Sequence, residues 1–332
     1  MLRFVRPVLF VCGILILIMS GLMACVAVFA WLRQDPEMEV FLISCGITLA
    51  SGLLLVVSCR TPGFHLISRQ LYLLTSLSWV LLSVVGALPL FFSHFQLSAV
   101  DAVFEAVSGI TTTGSTVLSG IENLSPSLLL WRSLLQWLGG LGVIGMAVSI
   151  LPFLRIGGMR LFHTESSDWS DKSIPRIQSL ARLLVLTYLT LTVSCTGSYW
   201  LAGMNLFDAI NHAMATVSTG GFATDDRSMG RFDAPVLWVS TLFMILSALP
   251  FTLLIAFARR PSMMLFKNQQ VMGFLGILLV VTLLLTVDLI NLNLFTPYQA
   301  ITEAAFNLVS VITTTGFAAG DYTQWGTFSI AL

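Results

Sequence analysis

The hydrophobic positions of this 332-residue chain fall into long uninterrupted runs, without the short alternating pattern of a half-buried strand. Seven runs are long enough to cross a bilayer as a helix, which requires about 20 apolar residues. They lie at 7–32, 39–59, 71–92, 126–154, 183–203, 235–258 and 271–292. The pattern predicts an all-α polytopic membrane protein.

Three longer segments between the runs, at 93–125, 204–234 and 293–325, are semi-apolar but interrupted. Each offers about a dozen apolar-leaning residues before a cluster of Thr, Ser and Gly, a length typical of a re-entrant segment and too short for a span. Backbone that leaves the helix at membrane depth is tolerated only where protein buries it or water reaches it. These segments therefore predict three re-entrant loops that border a cavity.

Composition supports the bilayer as the surrounding medium, with 56% hydrophobic and 10% charged residues and a mean hydropathy of +0.91. The first run continues to about Leu32 without a small-x-small cleavage site, so we expect a retained span. The cysteines lack CxxC or CxxH spacing and are interpreted as buried thiols: Cys12, Cys25, Cys45, Cys59 and Cys195. We expect neither an organic cofactor nor a nucleic-acid partner.

The basic residues orient the chain. If the N-terminus is cytoplasmic, 12 of the 16 Lys and Arg residues lie on the inside, as the positive-inside rule requires. The other four lie outside or near the outer surface: Arg33, Arg132, Arg227 and Arg231. All three re-entrant loops then face the outside. The basic segment 155–182 is either a cytoplasmic anchor or a docking surface for a regulatory subunit.

The three loops form an internal repeat. They read DAVFEAVSGITTTGS from Asp101, DAINHAMATVSTGGF from Asp208 and EAAFNLVSVITTTGF from Glu303. In each, an acidic residue lies ten positions before the first residue of a four-residue segment, or tetrad, that begins with Thr or Ser and ends with Gly. Successive tetrads are 107 and 95 residues apart. Such a repeat indicates one structural unit used several times, here span, short helix, loop, span.

The chemistry of this unit suits a monovalent cation. A short helix presents about half a negative charge at its C-terminus, and the carbonyls of a following Thr/Gly loop can replace an ion's hydration shell. The tetrads contain no carboxylate, which would favour divalent ions, and glycine allows backbone conformations that are costly for other residues. The candidate filter is Thr111, Thr112, Thr113, Gly114, Ser218, Thr219, Gly220, Gly221, Thr313, Thr314, Thr315 and Gly316. The expected carbonyl ligands are those of Thr112, Thr113, Thr219, Gly220, Thr314 and Thr315.

Polar residues around the loops have simpler interpretations. The three leading acids, Asp101, Asp208 and Glu303, are interpreted as helix caps. His212 is expected to form a hydrogen bond behind the filter, with a proton relay as the alternative. Asp225 and Asp226 either concentrate cations at the mouth or form a solvated turn.

The loops TTTGS (Thr111–Ser115), STGGF (Ser218–Phe222) and TTTGF (Thr313–Phe317) resemble the filters of the Trk/Ktr/HKT superfamily of potassium transporters. The stretch LLQWLGGLGVIGMAVSILP (Leu134–Pro152), the GGM at Gly157–Met159 and the GGFATDD at the second loop are similar to the TrkH/TrkG branch. The resemblance implies potassium transport by a pore-forming subunit of the bacterial inner membrane. It also implies a homodimer, a cytosolic nucleotide-binding regulator of the TrkA type, and no enzymatic activity.

The resemblance further implies pore repeats with pseudo-fourfold symmetry round one pore. The expected divisions are two N-terminal spans at 1–69, a first repeat at 70–155, a cytoplasmic linker at 156–182, a second repeat at 183–260 and an incomplete third at 261–332. The family has four repeats, so a truncated, non-conducting fragment is one alternative. The others are a sodium-coupled symporter and a membrane-embedded enzyme. The near absence of ionisable residues from the spans disfavours the enzyme.

In the second inner helix, the span at 235–258 that follows the second loop, Pro250 is expected to produce a kink.

Overall fold

A computed structural model describes residues 2–60, 66–150, 173–259, 268–293, 295–322 and 325–326. Its first six helices are α1 (Leu2–Arg33), α2 (Met38–Ser58), α3 (Ser68–Gly86), α4 (Leu88–Phe92), α5 (Ala99–Ile110) and α6 (Pro126–Ile150). The next six are α7 (Ser173–Leu201), α8 (Leu206–Val217), α9 (Ala234–Ala248), α10 (Phe251–Arg259), α11 (Gln269–Asn291) and α12 (Pro297–Ile312). These residues form no strand, and the all-α prediction is confirmed.

Six described helices are long and apolar enough to span a membrane. They are Phe4–Arg33, Met38–Ser58, Arg69–Phe92, Pro126–Met146, Ser179–Leu201 and Gln269–Asn291. The remaining predicted span, 235–258, is a broken pair in which α9 and α10 meet at 103°. Leu249 is extended, with ψ 149°, because proline disfavours the helical conformation of the residue before it. Pro250 therefore ends one helix, a larger effect than the predicted kink.

The described residues divide into two compact units. The first contains Met1–Ile110, Ser125–Trp131 and Leu141–Val185, and the second contains Thr111–Leu124, Arg132–Gly140 and Leu186–Leu332. All three Thr/Gly tetrads thus belong to the second unit, together with one stretch of α6. The predicted linker 156–182 is helical from Ser173 onward, whereas residues 151–172 lie outside the described part of the chain.

Polar groups in the first unit fasten helix ends. In the turn between α1 and α2, the buried Asp35 accepts hydrogen bonds from the Ser127 backbone N–H (3.0 Å) and hydroxyl (2.8 Å) at the start of α6. Trp131, one turn later, donates from its indole to the Gly86 carbonyl at 2.9 Å. Short polar turns in this sequence therefore include buried helix caps.

The three short helices begin with the same kind of cap. The side chains of Ser98, Asn205 and Thr296 each accept a hydrogen bond from the backbone N–H three residues later, at 3.1, 2.9 and 3.4 Å. Such caps satisfy donors that the first helical turn leaves unpaired. Asp101 and Asp208 lie in the first turns of α5 and α8, as predicted.

Helix α12 begins earlier relative to its tetrad than the other two short helices, with 16 residues against 12 in α5 and α8. Its first turn contains no acid, so the interpretation of Glu303 as a cap is wrong. Glu303 instead accepts a hydrogen bond from the Asn307 side chain at 3.1 Å, one turn further along.

None of the five cysteines forms a disulfide; Cys12, Cys59 and Cys195 are buried, whereas Cys25 is exposed and Cys45 half-buried.

Candidate functional site

Each of the three tetrads has the same backbone pattern. The residue at the second position, a threonine in all three tetrads, has a positive φ, at 55° for Thr112, 53° for Thr219 and 58° for Thr314. The glycine that closes the tetrad also has a positive φ: Gly114 (82°), Gly221 (75°) and Gly316 (83°). The residue between them does not, so the sign of φ alternates. A β-branched residue with positive φ costs about 1–3 kcal/mol, and such strain tends to persist where function requires it.

Hydrogen bonds show which way the loop peptides face. In the second loop, the N–H groups of Thr219 and Gly220 donate back to carbonyls of α8, at 3.1 and 2.8 Å. In the third, those of Thr314 and Thr315 donate back to carbonyls of α12, at 3.0 and 2.9 Å. A trans peptide directs its C=O opposite to its N–H. The carbonyls that precede these N–H groups, including those of Thr219 and Thr314, therefore point away from the helices.

The three tetrads lie side by side. A Cβ added to Gly114 would overlap the carbonyl oxygen of Gly220, and one added to Gly221 would overlap the carbonyl oxygen of Thr315. The first loop therefore packs on the second, and the second on the third, with backbone against backbone. A Cβ added to Gly316 would have no atom of the described residues within 4 Å except those of Gly316 and its two chain neighbours.

Threonine hydroxyls reinforce two of the loops. The hydroxyl oxygens of Thr111 and Thr113 are 2.8 Å apart, and those of Thr313 and Thr315 are also 2.8 Å apart. The second loop has glycine at the third tetrad position, so the same pair cannot form there. The first and third loops therefore resemble each other more closely than either resembles the second.

The chain that follows the second tetrad joins the other two loops. The Asp226 carboxylate accepts from the N–H groups of Gly120 (2.6 Å) and Ile121 (2.9 Å), beyond the first tetrad. On the other side, Met229 N–H donates to the Ala318 carbonyl at 2.9 Å, beyond the third tetrad. These bonds keep the outer ends of all three loops together.

Ion pairs support the same region. Arg231 contacts the buried Asp208 at 2.7 Å and Asp225 at 3.4 Å, while Arg227 contacts Asp225 at 3.2 Å. The hydrogen bond from Arg227 lowers the pKa of Asp225, an effect that burial opposes only in part. Asp225 is itself buried, so the solvated-turn interpretation is wrong for this residue. Two arginines offset its charge, which weakens the alternative that it concentrates cations.

His212 lies behind the second loop, fully buried, with ring centroids 5.2 Å from Phe232 and 6.0 Å from Phe317. Its Nδ1 is 2.9 Å from the Asp208 carbonyl, so the predicted hydrogen bond is confirmed and Nδ1 carries the proton. Its Nε2 has no hydrogen-bond partner among the described residues. A proton relay requires a second partner, so this geometry favours the structural interpretation.

Two buried polar residues of α6 were not predicted as part of the site. Arg132, which the charge pattern placed near the outer surface, is 1% exposed, and its guanidinium lies 4.2 Å from the Phe222 ring centroid. It also donates to the Ala223 carbonyl and the Thr116 hydroxyl, both at 3.3 Å. One turn further, Gln136 contacts the second loop. Their spacing of four inside an apolar span is the available signal, because polar residues there face the protein interior.

The family model TrkH, described as cation transport protein, matches residues 37–332. The chain belongs to the TrkH family. It is 46% identical over 329 residues to the Trk system potassium uptake protein TrkI of Halomonas elongata, covering 98% of this chain and 66% of that protein. It is 35% identical over 329 residues to TrkH of Escherichia coli, covering 97% and 68%.

The fold agrees with a solved member of the family. The potassium transporter TrkH from Vibrio parahaemolyticus superposes with a TM-score of 0.89 at 34% identity, covering 98% of this chain and 68% of that one. The chain thus spans about two thirds of the length of its TrkH-family relatives. These relatives are named as transporters, so the resemblance stated from the filter sequences and the non-enzyme prediction are both confirmed.

Proposed function

We propose that this chain forms part of the potassium-conducting pore of a Trk-type uptake system, with the three tetrads as walls of its selectivity filter. The observation that carries the proposal is the side-by-side packing of three loops with the same alternating φ pattern. Alternation turns successive peptides the same way. In the second and third loops the N–H groups bond back to the supporting helices, so the carbonyls of the same peptides face away.

The proposed ligands are the backbone carbonyls of Thr112, Thr113, Thr219, Gly220, Thr314 and Thr315. Carbonyl oxygens can replace the hydration shell of a monovalent ion, and the tetrads contain no carboxylate that would trap a divalent one. Gly220 O also accepts a hydrogen bond from Gln136. A carbonyl has two lone pairs, so this bond leaves one for an ion.

The wider assembly is proposed on the charge pattern and the family. The N-terminus lies in the cytoplasm and the loops open to the outside of the bacterial inner membrane, because most basic residues then lie inside. The repeats 70–155, 183–260 and 261–332 line one pore, and the two spans of 1–69 precede them in the chain. A homodimer and a TrkA-type cytosolic regulator complete the system.

The test is complementation of bacteria that lack their own potassium uptake systems, with the full product of the gene. We expect growth at low external potassium and rubidium tracer uptake that potassium blocks much better than sodium. Asp101→Asn serves as a control variant. Its carboxylate lies outside the tetrads, so we expect the substitution to leave uptake unchanged. Protein that reaches the membrane without restoring growth, or uptake that sodium blocks equally well, would contradict the proposal.

A further inference from the structure

We propose that Gln136 is a positioning residue of the second filter loop and stands in for the threonine side chain which that loop lacks. The inference rests on the proposed function, because it assigns the residue a role in ion discrimination. Gln136 lies on α6, 84 positions before the loop residue that it contacts.

The third tetrad position differs between the loops. It is Thr113 in the first and Thr315 in the third, where each hydroxyl is 2.8 Å from a threonine hydroxyl two residues earlier. In the second loop it is Gly220, and a Cβ built there would lie 2.5 Å from Cδ and 2.7 Å from Nε2 of Gln136. The Gln136 amide therefore occupies the volume that the third threonine fills elsewhere.

The amide also makes two hydrogen bonds to the loop. Its Nε2 donates to the Gly220 carbonyl at 2.5 Å, and its Oε1 accepts from the Phe222 N–H at 3.0 Å. The partners determine which end is which, because a carbonyl needs a donor and an N–H needs an acceptor. One side chain thus holds the backbone on both sides of Gly221, the positive-φ residue that packs on the third loop.

Burial makes these bonds hard to replace. Gln136 is fully buried, and Arg132 one turn earlier covers the neighbouring Phe222 and Ala223. Removal of the amide leaves the Phe222 N–H without this partner in a buried site, and the loop can satisfy it only by reorienting. Carbonyl direction in the loop governs discrimination between ions, so the expected consequence is altered selectivity.

The experiment uses the full-length protein in proteoliposomes, with potassium and sodium fluxes measured on the same preparations. Gln136→Met keeps the length of the side chain but removes both hydrogen bonds, and we expect the potassium-to-sodium flux ratio to fall about tenfold, as one unpaired buried group implies. The control is Trp137→Phe, which removes the hydrogen bond from the Trp137 indole to Thr192 on α7 (3.1 Å), a bond that involves no tetrad residue. We expect the control to keep the wild-type ratio.

A compensating pair tests the stand-in role directly. Gly220→Thr alone collides with the amide, and Gln136→Ala alone removes it, so each is expected to lower both thermal stability and the flux ratio. The double variant has room for a threonine whose hydroxyl can reach Ser218, as in the other loops. We expect it to recover a measurable part of both losses.

The outcomes separate the inference from the function beneath it. A wild-type flux ratio in Gln136→Met, or loss of folded protein with an unchanged ratio, overturns the positioning role. Additive stability losses in the double variant overturn the stand-in role, and melting curves measure this even without transport. A wild-type protein that fails to distinguish the two ions refutes the proposed function while recovery of stability still supports the contact.

Discussion

Gly221→Ala is the substitution whose free-energy cost and effect on transport can be estimated most directly from the structure. Gly221 has φ 75°, and a Cβ there would overlap the Thr315 carbonyl oxygen while lying 3.0 Å from the Thr315 carbonyl carbon and 3.2 Å from that of Gly316. All three neighbours are backbone atoms, so no side-chain rotation relieves the contact. The second and third loops must therefore move apart.

The cost has two parts. Holding alanine at a left-handed φ costs about 1–2 kcal/mol. Forcing a methyl group into a closely packed site adds about 1–3 kcal/mol. Even a total near the lower end, about 2 kcal/mol, lowers the population of the native loop arrangement roughly thirtyfold.

The measurement is the initial potassium uptake rate per protein molecule in proteoliposomes, together with the potassium-to-sodium ratio. We expect Gly221→Ala to lower the rate at least about tenfold, since one factor of ten corresponds to only 1.4 kcal/mol. Gly273→Ala is the matched control, because this residue lies in α11, where no described atom outside the adjoining backbone of that helix comes within 4 Å of the added methyl group, and alanine is favoured in helices. A Gly221→Ala protein within twofold of wild type in both rate and ratio would refute the packing argument.

Three further predictions concern the surroundings of the loops. Asp101→Asn should cost less than about 1 kcal/mol of stability and leave selectivity unchanged, because it alters one exposed helix cap. Gly114→Ala or Gly316→Ala should instead degrade potassium-over-sodium selectivity. Equal effects of the Asp101 and glycine variants in flux assays would contradict the carbonyl-ligand model. Arg231→Gln should lower the free energy of unfolding by about 3 kcal/mol, because it leaves the carboxylate of Asp208 buried without its charge partner, and thermal melts should show Asp208→Asn partly rescuing it. The stabilisation that Asp225 gains from Arg227 should be present above its ordinary pKa of 3.8 and fade as the pH falls through its lower folded value; a stability gap between wild type and Arg227→Gln that widens on acidification would show the sign to be wrong.

Most of the helical architecture was predictable from local pattern. Apolar runs long enough for a bilayer became spanning helices, and the caps at Ser98, Asn205 and Thr296 begin the three short helices as local chemistry favours. The exceptions have identifiable causes. Pro250 breaks its span because the preceding residue cannot remain helical, and Glu303 is not a cap because α12 starts earlier at its own Thr296.

The contacts around the filter loops were harder to predict from the sequence. Arg132 has a charge that predicts exposure, yet it is buried beside Phe222 because α6 turns that face toward the second loop. Asp225 and Asp226 look like a solvated acidic pair, yet Asp226 accepts hydrogen bonds from Gly120 and Ile121, and Asp225 is buried in ion pairs with Arg227 and Arg231. Charge and hydropathy describe each residue separately and carry no information about the partner that folding supplies.

The sequence by itself determined that the chain lies in a bilayer, that three short helices end in Thr/Gly tetrads, and that a glycine closes each tetrad. These properties follow from apolar length and from backbone sterics, which act between residues close in the chain. Only the tertiary structure decided that Gly114 packs on Gly220, that Gly221 packs on Thr315 and that Gln136 fills the place of a missing threonine. Such pairings join residues about a hundred positions apart, and they depend on how whole helices are rotated and packed.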